Sequence, residues 1–244
     1  MVEPAARLVL VHGFTQTARS WADIVARLPE PFQAVAVDAP GHGAAAAVTT
    51  DLPGAAAEIV RAGGAGAYVG YSMGARICLH AALARPDAVE RLVLISGTAG
   101  IDDAGERAAR RASDEALAAA IEREGIDAFL DRWLAQPLFA TLPDTARDVE
   151  DRRRNTAAGL AASLRRAGTG AQAPLWDNLA ELAMPVLLIA GALDHKFVAL
   201  AERMHRAIAG SELVVVAGAG HTVHLEQRDA FVDVLVGWLT RTSR

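Results

Sequence analysis

Three residues, far apart in this chain, are of the types that together activate a hydroxyl: Ser72, Asp194 and His221. A serine hydroxyl is a weak nucleophile or base until a histidine accepts its proton. The histidine in turn needs a carboxylate to fix its tautomer. Ser72 stands in Gly70-Tyr71-Ser72-Met73-Gly74, a Gly-x-Ser-x-Gly segment. That pattern suits a sharp strand-to-helix turn, which lifts the hydroxyl beside the first free N–H groups of the helix. A Cβ at position 70 or 74 would collide with the neighbouring strand or helix. Asp194 follows an apolar run in Gly191-Ala192-Leu193-Asp194, and His221 lies in Gly218-Ala219-Gly220-His221-Thr222-Val223-His224. His224 is the alternative base and Asp102 the alternative acid.

These residues need strands to hold them. Arg7–Gly13, Gln33–Asp38, Ala65–Val69, Arg91–Gly97, Pro185–Gly191 and Glu212–Val216 are apolar runs that read as strands. Helical stretches alternate with them: near Ser20–Leu28 with Ser20 as N-cap, Asp51–Ala62, Ala75–Leu83, Phe197–Ala209 and Gln227–Leu239. Such alternation predicts βαβ units and a mostly parallel sheet of about six or seven strands, with helices on both faces. Ser72, Asp194 and His221 then all fall beyond the carboxyl ends of strands, where open α/β sheets place their sites. So does His12-Gly13-Phe14. Beside a serine turn of this kind, the loop after the first strand and the residue after the serine supply oxyanion-stabilising N–H groups. Those are the amides of Phe14 and Met73; His12 itself fits an ordinary strand-ending turn equally well.

From Ile101 to about Asn178 the strand rhythm stops and arginine- and alanine-rich helical patterns take over. The expected organisation is a core of residues 1–100 and 179–244, carrying a helical cap over 101–178. With 244 residues, 52% of them hydrophobic, the chain can bury one sizeable core. A net charge of −5 argues against general attraction to nucleic acid or an anionic membrane. The single cysteine, Cys78, rules out an internal disulfide and suits a reducing compartment. No apolar run approaches a membrane span, and the start lacks the pattern of a signal peptide, so a cytoplasmic location without membrane insertion is expected. No metal-ligand spacing or cofactor motif appears, and the sequence fixes no oligomeric state.

His-Gly-Phe, Val-Asp-x-Pro-Gly-His-Gly, Gly-Tyr-Ser-Met-Gly, Gly-x-x-Asp and Gly-His together resemble the α/β-hydrolase superfamily along nearly the whole chain. Compared with the fuller fold, two N-terminal strands before Arg7 are expected to be absent. A narrower resemblance rests on Gly70–Arg76, Arg107-x-x-Arg110-x-x-Ser113-Asp114, Trp133-x-x-Gln136-Pro137-Leu138-Phe139 and Asp194-His195-Lys196-Phe197. These stretches are similar to the 2-succinyl-6-hydroxy-2,4-cyclohexadiene-1-carboxylate synthases of the menaquinone pathway. That resemblance implies a lyase that removes pyruvate from 2-succinyl-5-enolpyruvyl-6-hydroxy-3-cyclohexene-1-carboxylate. It implies that the Ser72, His221 and Asp194 triad uses its serine as a base. It also implies that Tyr71, Arg76, Arg110, Trp133 and Arg152 line the substrate pocket, with the register of Arg152-Arg153-Arg154 open by a residue or two.

The residues themselves support one of these roles. Arg76 lies four positions after Ser72, on the same helix face. A guanidinium there is costly unless an anion or a carboxylate meets it, and a small substrate with several carboxylates suits its fork of donors. The competing reading of Arg76 is a structural ion pair; of Arg110, a solvated helix face; of Trp133, a hydrophobic anchor for the cap. Lys196 can be simply solvent-exposed. Two other functions stay open on this evidence. One is a serine carboxylesterase or carbon–carbon-bond hydrolase acting on a small anionic substrate. The other is a non-catalytic binding protein of the same fold.

Overall fold

The computed structural model describes residues 7–242. Six strands form one sheet in the order β2-β1-β3-β4-β5-β6, and every pairing is parallel. They are β1 (Arg7–Val11), β2 (Gln33–Val37), β3 (Gly66–Tyr71), β4 (Val89–Ile95), β5 (Val186–Gly191) and β6 (Glu212–Val216). This is the parallel sheet of about six or seven strands, with helices between them, expected from the strand rhythm. The expectation about strands preceding Arg7 lies outside the described residues.

Ten α-helices accompany the strands among the described residues. Those before β5 are α1 (Ala22–Val25), α2 (Leu52–Gly63), α3 (Met73–Ala84), α4 (Ala104–Glu124), α5 (Ile126–Leu134), α6 (Val149–Arg152) and α7 (Ala157–Ala167). After it come α8 (His195–Ala207), α9 (Val223–Glu226) and α10 (Arg228–Arg241). Successive strand side chains point to opposite faces, and both faces are apolar. Val9, Val11, Tyr68, Leu92, Leu94 and Leu188 pack against α2, α3 and α8. Leu8, Leu10, Val69, Val93, Ile95 and Ile189 pack against Trp21, Ile24 and the α10 residues Phe231, Leu235 and Trp238. A sheet covered on both sides explains why its central strands are continuously hydrophobic rather than alternating.

The first helix departs from expectation. A 3-10 turn over Ala18–Trp21 precedes a single α-turn, and Thr17 rather than Ser20 caps it, its hydroxyl accepting from the Arg19 N–H. Ser20 points back, donating to the Thr17 carbonyl at 2.8 Å.

Between β4 and β5 the described chain contains no strand. Helices α4, α5 and α7 close around Ala118, Ile121, Phe129, Leu160 and Leu164. A second small cluster, Leu134, Phe139, Leu142 and Ala146, reaches Leu225 of α9. This helical layer meets the loop after β2 with almost no gap. A Cβ on Gly159 of α7 would lie 2.5 Å from the Gly41 carbonyl oxygen, and one on Gly41 would lie 2.6 Å from that of Gly159.

Candidate active site

The turn after β3 has the shape its sequence demands. Ser72 sits at φ +52°, a left-handed backbone for a residue with a side chain. Its N–H is pinned to the Ile95 carbonyl at 2.8 Å. Both glycines are required by close approach: a Cβ on Gly70 would sit 2.4 Å from the Gly74 carbonyl oxygen, and one on Gly74 2.1 Å from that of Val11.

His221 Nδ1 donates to Asp194 Oδ2 at 2.7 Å, and its Nε2 lies 3.0 Å from Ser72 Oγ, which donates to it. Asp194 is fixed in turn as the N-cap of α8, its Oδ1 accepting from the Phe197 N–H at 3.3 Å. The His221 loop is drawn into place by Glu226, whose carboxylate accepts from Gly220 N–H at 2.7 Å and Thr222 N–H at 2.8 Å. Ser96 Oγ donates to the His221 carbonyl at 2.8 Å.

The alternative acid and base are not part of this relay. Asp102 pairs with Arg203 at 2.6 Å. His224 is fully buried between Trp21, at 4.5 Å, and Tyr71, at 4.6 Å. Neither of its ring nitrogens has a hydrogen-bond partner, and burial pushes its pKa down to about 3. It stays neutral and takes no part in the relay.

Beside Ser72, the N–H groups of Phe14 and Met73 donate to no protein acceptor among the described residues. His12 and His42 do not line the cavity beside Ser72; they tie the loops after β1 and β2 together. His12 Nδ1 donates to the Gly13 carbonyl at 2.8 Å while its Nε2 accepts from Ala39 N–H at 3.0 Å. His42 Nδ1 donates to the Pro40 carbonyl at 3.1 Å and its Nε2 accepts from Thr15 N–H at 3.4 Å. Burial holds both imidazoles neutral, His42 with a pKa of about 3.

Ser72 and His221 open into a cavity of about 530 Å³ between the sheet and the helical layer, within the range of small-molecule sites. Every pocket residue expected from the sequence lines it. Tyr71 does so with its ring, since its hydroxyl bonds Thr222 Oγ1 at 3.1 Å and burial raises its pKa. Trp133 does both things proposed for it: it joins the two clusters of the helical layer and it faces the cavity. Its ring lies 5.2 Å from Phe14 and 5.7 Å from Phe139, and its Nε1 has no partner.

The arginines separate by their partners. Arg76 is buried, donating to the Ala167 carbonyl at 2.8 Å and lying 3.5 Å from Gln172 Oε1, so it is not a structural ion pair. Desolvation, with help from nearby Arg110, lowers its pKa to about 10. Arg110 is half-exposed and donates one N–H to Asp114 at 2.8 Å, as an i,i+4 pair. The register of the triple-arginine run is resolved: Arg152 turns inward, donating to the Arg147 carbonyl at 2.7 Å and to Thr15 Oγ1. Arg153 instead pairs with Asp127 and Glu150 outside, and Arg154 lies 3.9 Å from Asp151. Neither Arg76 nor Arg152 has a carboxylate at ion-pair distance among the described residues. Lys196 is exposed at the mouth, 5.8 Å from the Phe197 ring centre.

Sequence reading missed several lining residues. Buried Gln16, Ser163 and Thr98 face the cavity, and so does Arg203, stacked 3.6 Å over Trp176. Gln16 carries a signal only in three dimensions, where its Oε1 accepts the Gly13 N–H at 3.0 Å. No cluster of metal-ligating side chains occurs among the described residues, and no helix there is long and apolar enough to cross a membrane.

Comparison with known proteins agrees with this geometry. The profile of the alpha/beta hydrolase family matches residues 8–234. The chain is 37% identical to a Bacillus subtilis (strain 168) protein, over 96% of this chain and 90% of that one. It is 35% identical to the 2-succinyl-6-hydroxy-2,4-cyclohexadiene-1-carboxylate synthase of Serratia proteamaculans (strain 568), covering 95% and 92% of the two chains. MenH from S. aureus superimposes with a TM-score of 0.91 over 100% of this chain and 96% of its own, at 29% identity. The chain belongs to the alpha/beta hydrolase family and, within it, to the 2-succinyl-6-hydroxy-2,4-cyclohexadiene-1-carboxylate synthases.

Proposed function

We propose that this enzyme is a lyase of menaquinone biosynthesis. It eliminates pyruvate from 2-succinyl-5-enolpyruvyl-6-hydroxy-3-cyclohexene-1-carboxylate, with ester hydrolysis weak or absent. Ser72 Oγ, its proton relayed to His221 Nε2, takes the proton from the ring carbon that carries the succinyl group. That carbon is acidified by the adjacent ketone, whose oxygen gains negative charge. The N–H groups of Phe14 and Met73 stabilise that charge. The electron pair forms a new ring double bond, the existing one shifts by a carbon, and the bond to the enolpyruvyl oxygen breaks. The proton removed balances the one that the departing enolpyruvate needs to become pyruvate. Asp194 steadies the imidazolium between the two transfers.

One observation carries the choice of an anionic substrate: Arg76 and Arg152 are both buried in the cavity wall, each satisfied only by neutral oxygen atoms. A buried cation without a counter-charge is costly, and a carboxylate ligand supplies what the chain does not. Arg110, Tyr71 and Trp133 complete the proposed clamp, with residues 101–178 serving as a cap on a core of 1–100 and 179–244. Held there, the substrate meets the base in a reactive geometry, and positioning supplies part of the rate. A cytoplasmic enzyme acting on a small anionic substrate fits this reading.

The test is to give the purified protein that substrate and an activated ester in parallel. Pyruvate release with little ester turnover is expected. Efficient ester turnover through an acyl-Ser72 intermediate, with no pyruvate, would assign the protein to the hydrolases instead.

A further inference from the structure

The loop that carries Phe14 does not hold its own shape. Gln16 N–H closes a turn onto the Gly13 carbonyl at 3.2 Å, with Phe14 and Thr15 at its two central positions. Thr15 sits at φ +71°. Turns that need a positive φ at that place normally carry Gly or Asn there, and a β-branched residue is a genuine outlier. Such a conformation persists only where its surroundings over-determine it.

Gln16 Oε1 and His42 Nε2 supply part of those surroundings, on Gly13 N–H and Thr15 N–H, and the rest comes from one short stretch more than 130 positions along the chain. Asp151 accepts from Thr17 N–H at 3.2 Å and from the Thr17 hydroxyl at 2.6 Å. Asn155 Nδ2 donates to the Thr15 carbonyl at 2.6 Å and to the Arg152 carbonyl at 2.9 Å, and its Oδ1 accepts from Gly43 N–H at 3.0 Å. Asp151 and Asn155 are each 5% exposed, and neither lines the cavity beside Ser72. Their hydrogen bonds go to the Thr15 carbonyl, to Thr17 just past the turn, to Gly43 of the loop after β2 and to the Arg152 carbonyl, not to a ligand. Arg152, between them, lines the cavity and donates to Thr15 Oγ1.

We infer that Asp151 and Asn155 are positioning residues that hold Thr15 in its left-handed conformation and so aim the Phe14 N–H at the oxyanion. The inference rests on the roles assigned above to Ser72 and Phe14. With the strap cut, the turn relaxes toward a geometry that threonine prefers, and Phe14 moves off its place beside Ser72. Arg76, on α3, is untouched, and Arg152 keeps its bond to the Arg147 carbonyl, so substrate binding changes less than turnover.

A double-mutant cycle separates this from a loss of general stability. Glycine adopts positive φ without strain, so Thr15→Gly makes the turn independent of the strap. Full-length variants are compared by kcat and KM for pyruvate release, and by the affinity of phenylboronic acid. In that adduct a Ser72 Oγ–B bond forms as the serine proton passes to His221, and a boronate oxygen takes the oxyanion position. Asn155→Ala is expected to lower kcat roughly tenfold or more, short of the full loss of an oxyanion donor, with KM within about twofold. Boronate affinity should fall in parallel. In the Thr15→Gly background the same substitution should cost less than about threefold in both readouts, the sign of coupled residues. Equal cost in the two backgrounds, or a loss confined to KM, overturns the inference. If Asn155→Ala fails to fold, Asp151→Asn, which keeps one acceptor for Thr17, enters the same cycle with the same criteria. Wild-type protein that binds phenylboronic acid but releases no pyruvate refutes the proposed reaction, while the boronate cycle still decides the positioning role.

Discussion

The outer face of the helical layer and the cavity enclosed between that layer and the core both carry arginines, yet they treat the charge in opposite ways. Outside, Arg165 is forked between Glu115, at 2.9 Å, and Glu122, at 2.7 Å, and Arg153 joins Asp127 and Glu150. Inside, Arg76 and Arg152 are held by carbonyl, amide and hydroxyl oxygens. The cavity is not free of acids: Asp102, Asp103 and Glu106 line one side of it. Asp102 is already matched by Arg203, however, and Asp103 accepts from Glu106 N–H at 2.7 Å as the cap of α4. Arg153 and Arg165 complete their ion pairs within the chain, whereas Arg76 and Arg152 are oriented by neutral acceptors and keep their charge for a ligand. Residue type does not distinguish the two sets; the partner does.

The contrast is broken most directly from the inside. Arg76→Ala should lower kcat/KM by roughly a hundredfold or more, the scale of losing one member of a buried charge pair. Arg76→Lys should recover only part of that, because the planar fork is lost. Steady-state pyruvate release checks both, and a variant near wild-type efficiency would place the anion elsewhere. The pH dependence sharpens the point. With a pKa of about 10, set by burial and then by Arg110, Arg76 in the free enzyme loses its proton as pH rises through that value. The Arg76-dependent part of kcat/KM should therefore be full below about pH 10 and fall above it. Arg110→Ala should move the midpoint upward by removing a like charge.

The same contrast recurs between two histidines three positions apart. His221 has Asp194 and Ser72; His224 has no polar partner. His224 titrates near 3 when folded and near 6.5 when unfolded, so the unfolded chain binds more protons in that window. Stability therefore falls as pH drops from about 6.5 toward 3. His224→Phe should flatten this acid limb in urea titrations. It should also stabilise the protein by about 1 kcal/mol, since no hydrogen bond is lost and a buried unsatisfied ring is removed. An unchanged acid limb would show that His224 does not carry this pH dependence, and a loss of stability at neutral pH would show that its ring is stabilising as it stands. The smallest effect belongs to the outer face: Arg165→Ala should change stability by at most about 1 kcal/mol and leave kcat and KM unmoved. A kinetic effect there would end the distinction between the two faces.

Much of this was legible in the sequence because it is local. Gly70–Gly74 specifies its own turn, and each of Asp194 and His221 follows a strand that announces itself by composition. Arg76 could be placed beside Ser72 because helix geometry fixes what lies four residues on. The register of Arg152 could not be read that way. Helix α6 is a single turn, entered through Asp148 at φ +43°, and so short a helix has no periodicity to read. Asp151 and Asn155 were invisible for a related reason: their partners Thr17 and Thr15 are 134 and 140 positions away, and no pattern in either segment announces the pairing. Thr17 displaced Ser20 as a cap because that same distant carboxylate fixes its hydroxyl.

The contact of Gly41 with Gly159 has a consequence for anyone reshaping this enzyme. With each backbone pressed on the other's missing side chain, alanine at either position would have to lift α7 from the loop after β2. Those two sites should stand out as depleted in a saturation library selected for folding alone, before catalysis is scored. Room for a bulkier substrate must come from partly exposed side chains such as Leu138 and Leu200, which line the cavity outside the cluster that closes the helical layer. The glycine contact thus makes the layer's seat on the core a fixed coordinate of the design space and leaves the cavity wall as its adjustable one.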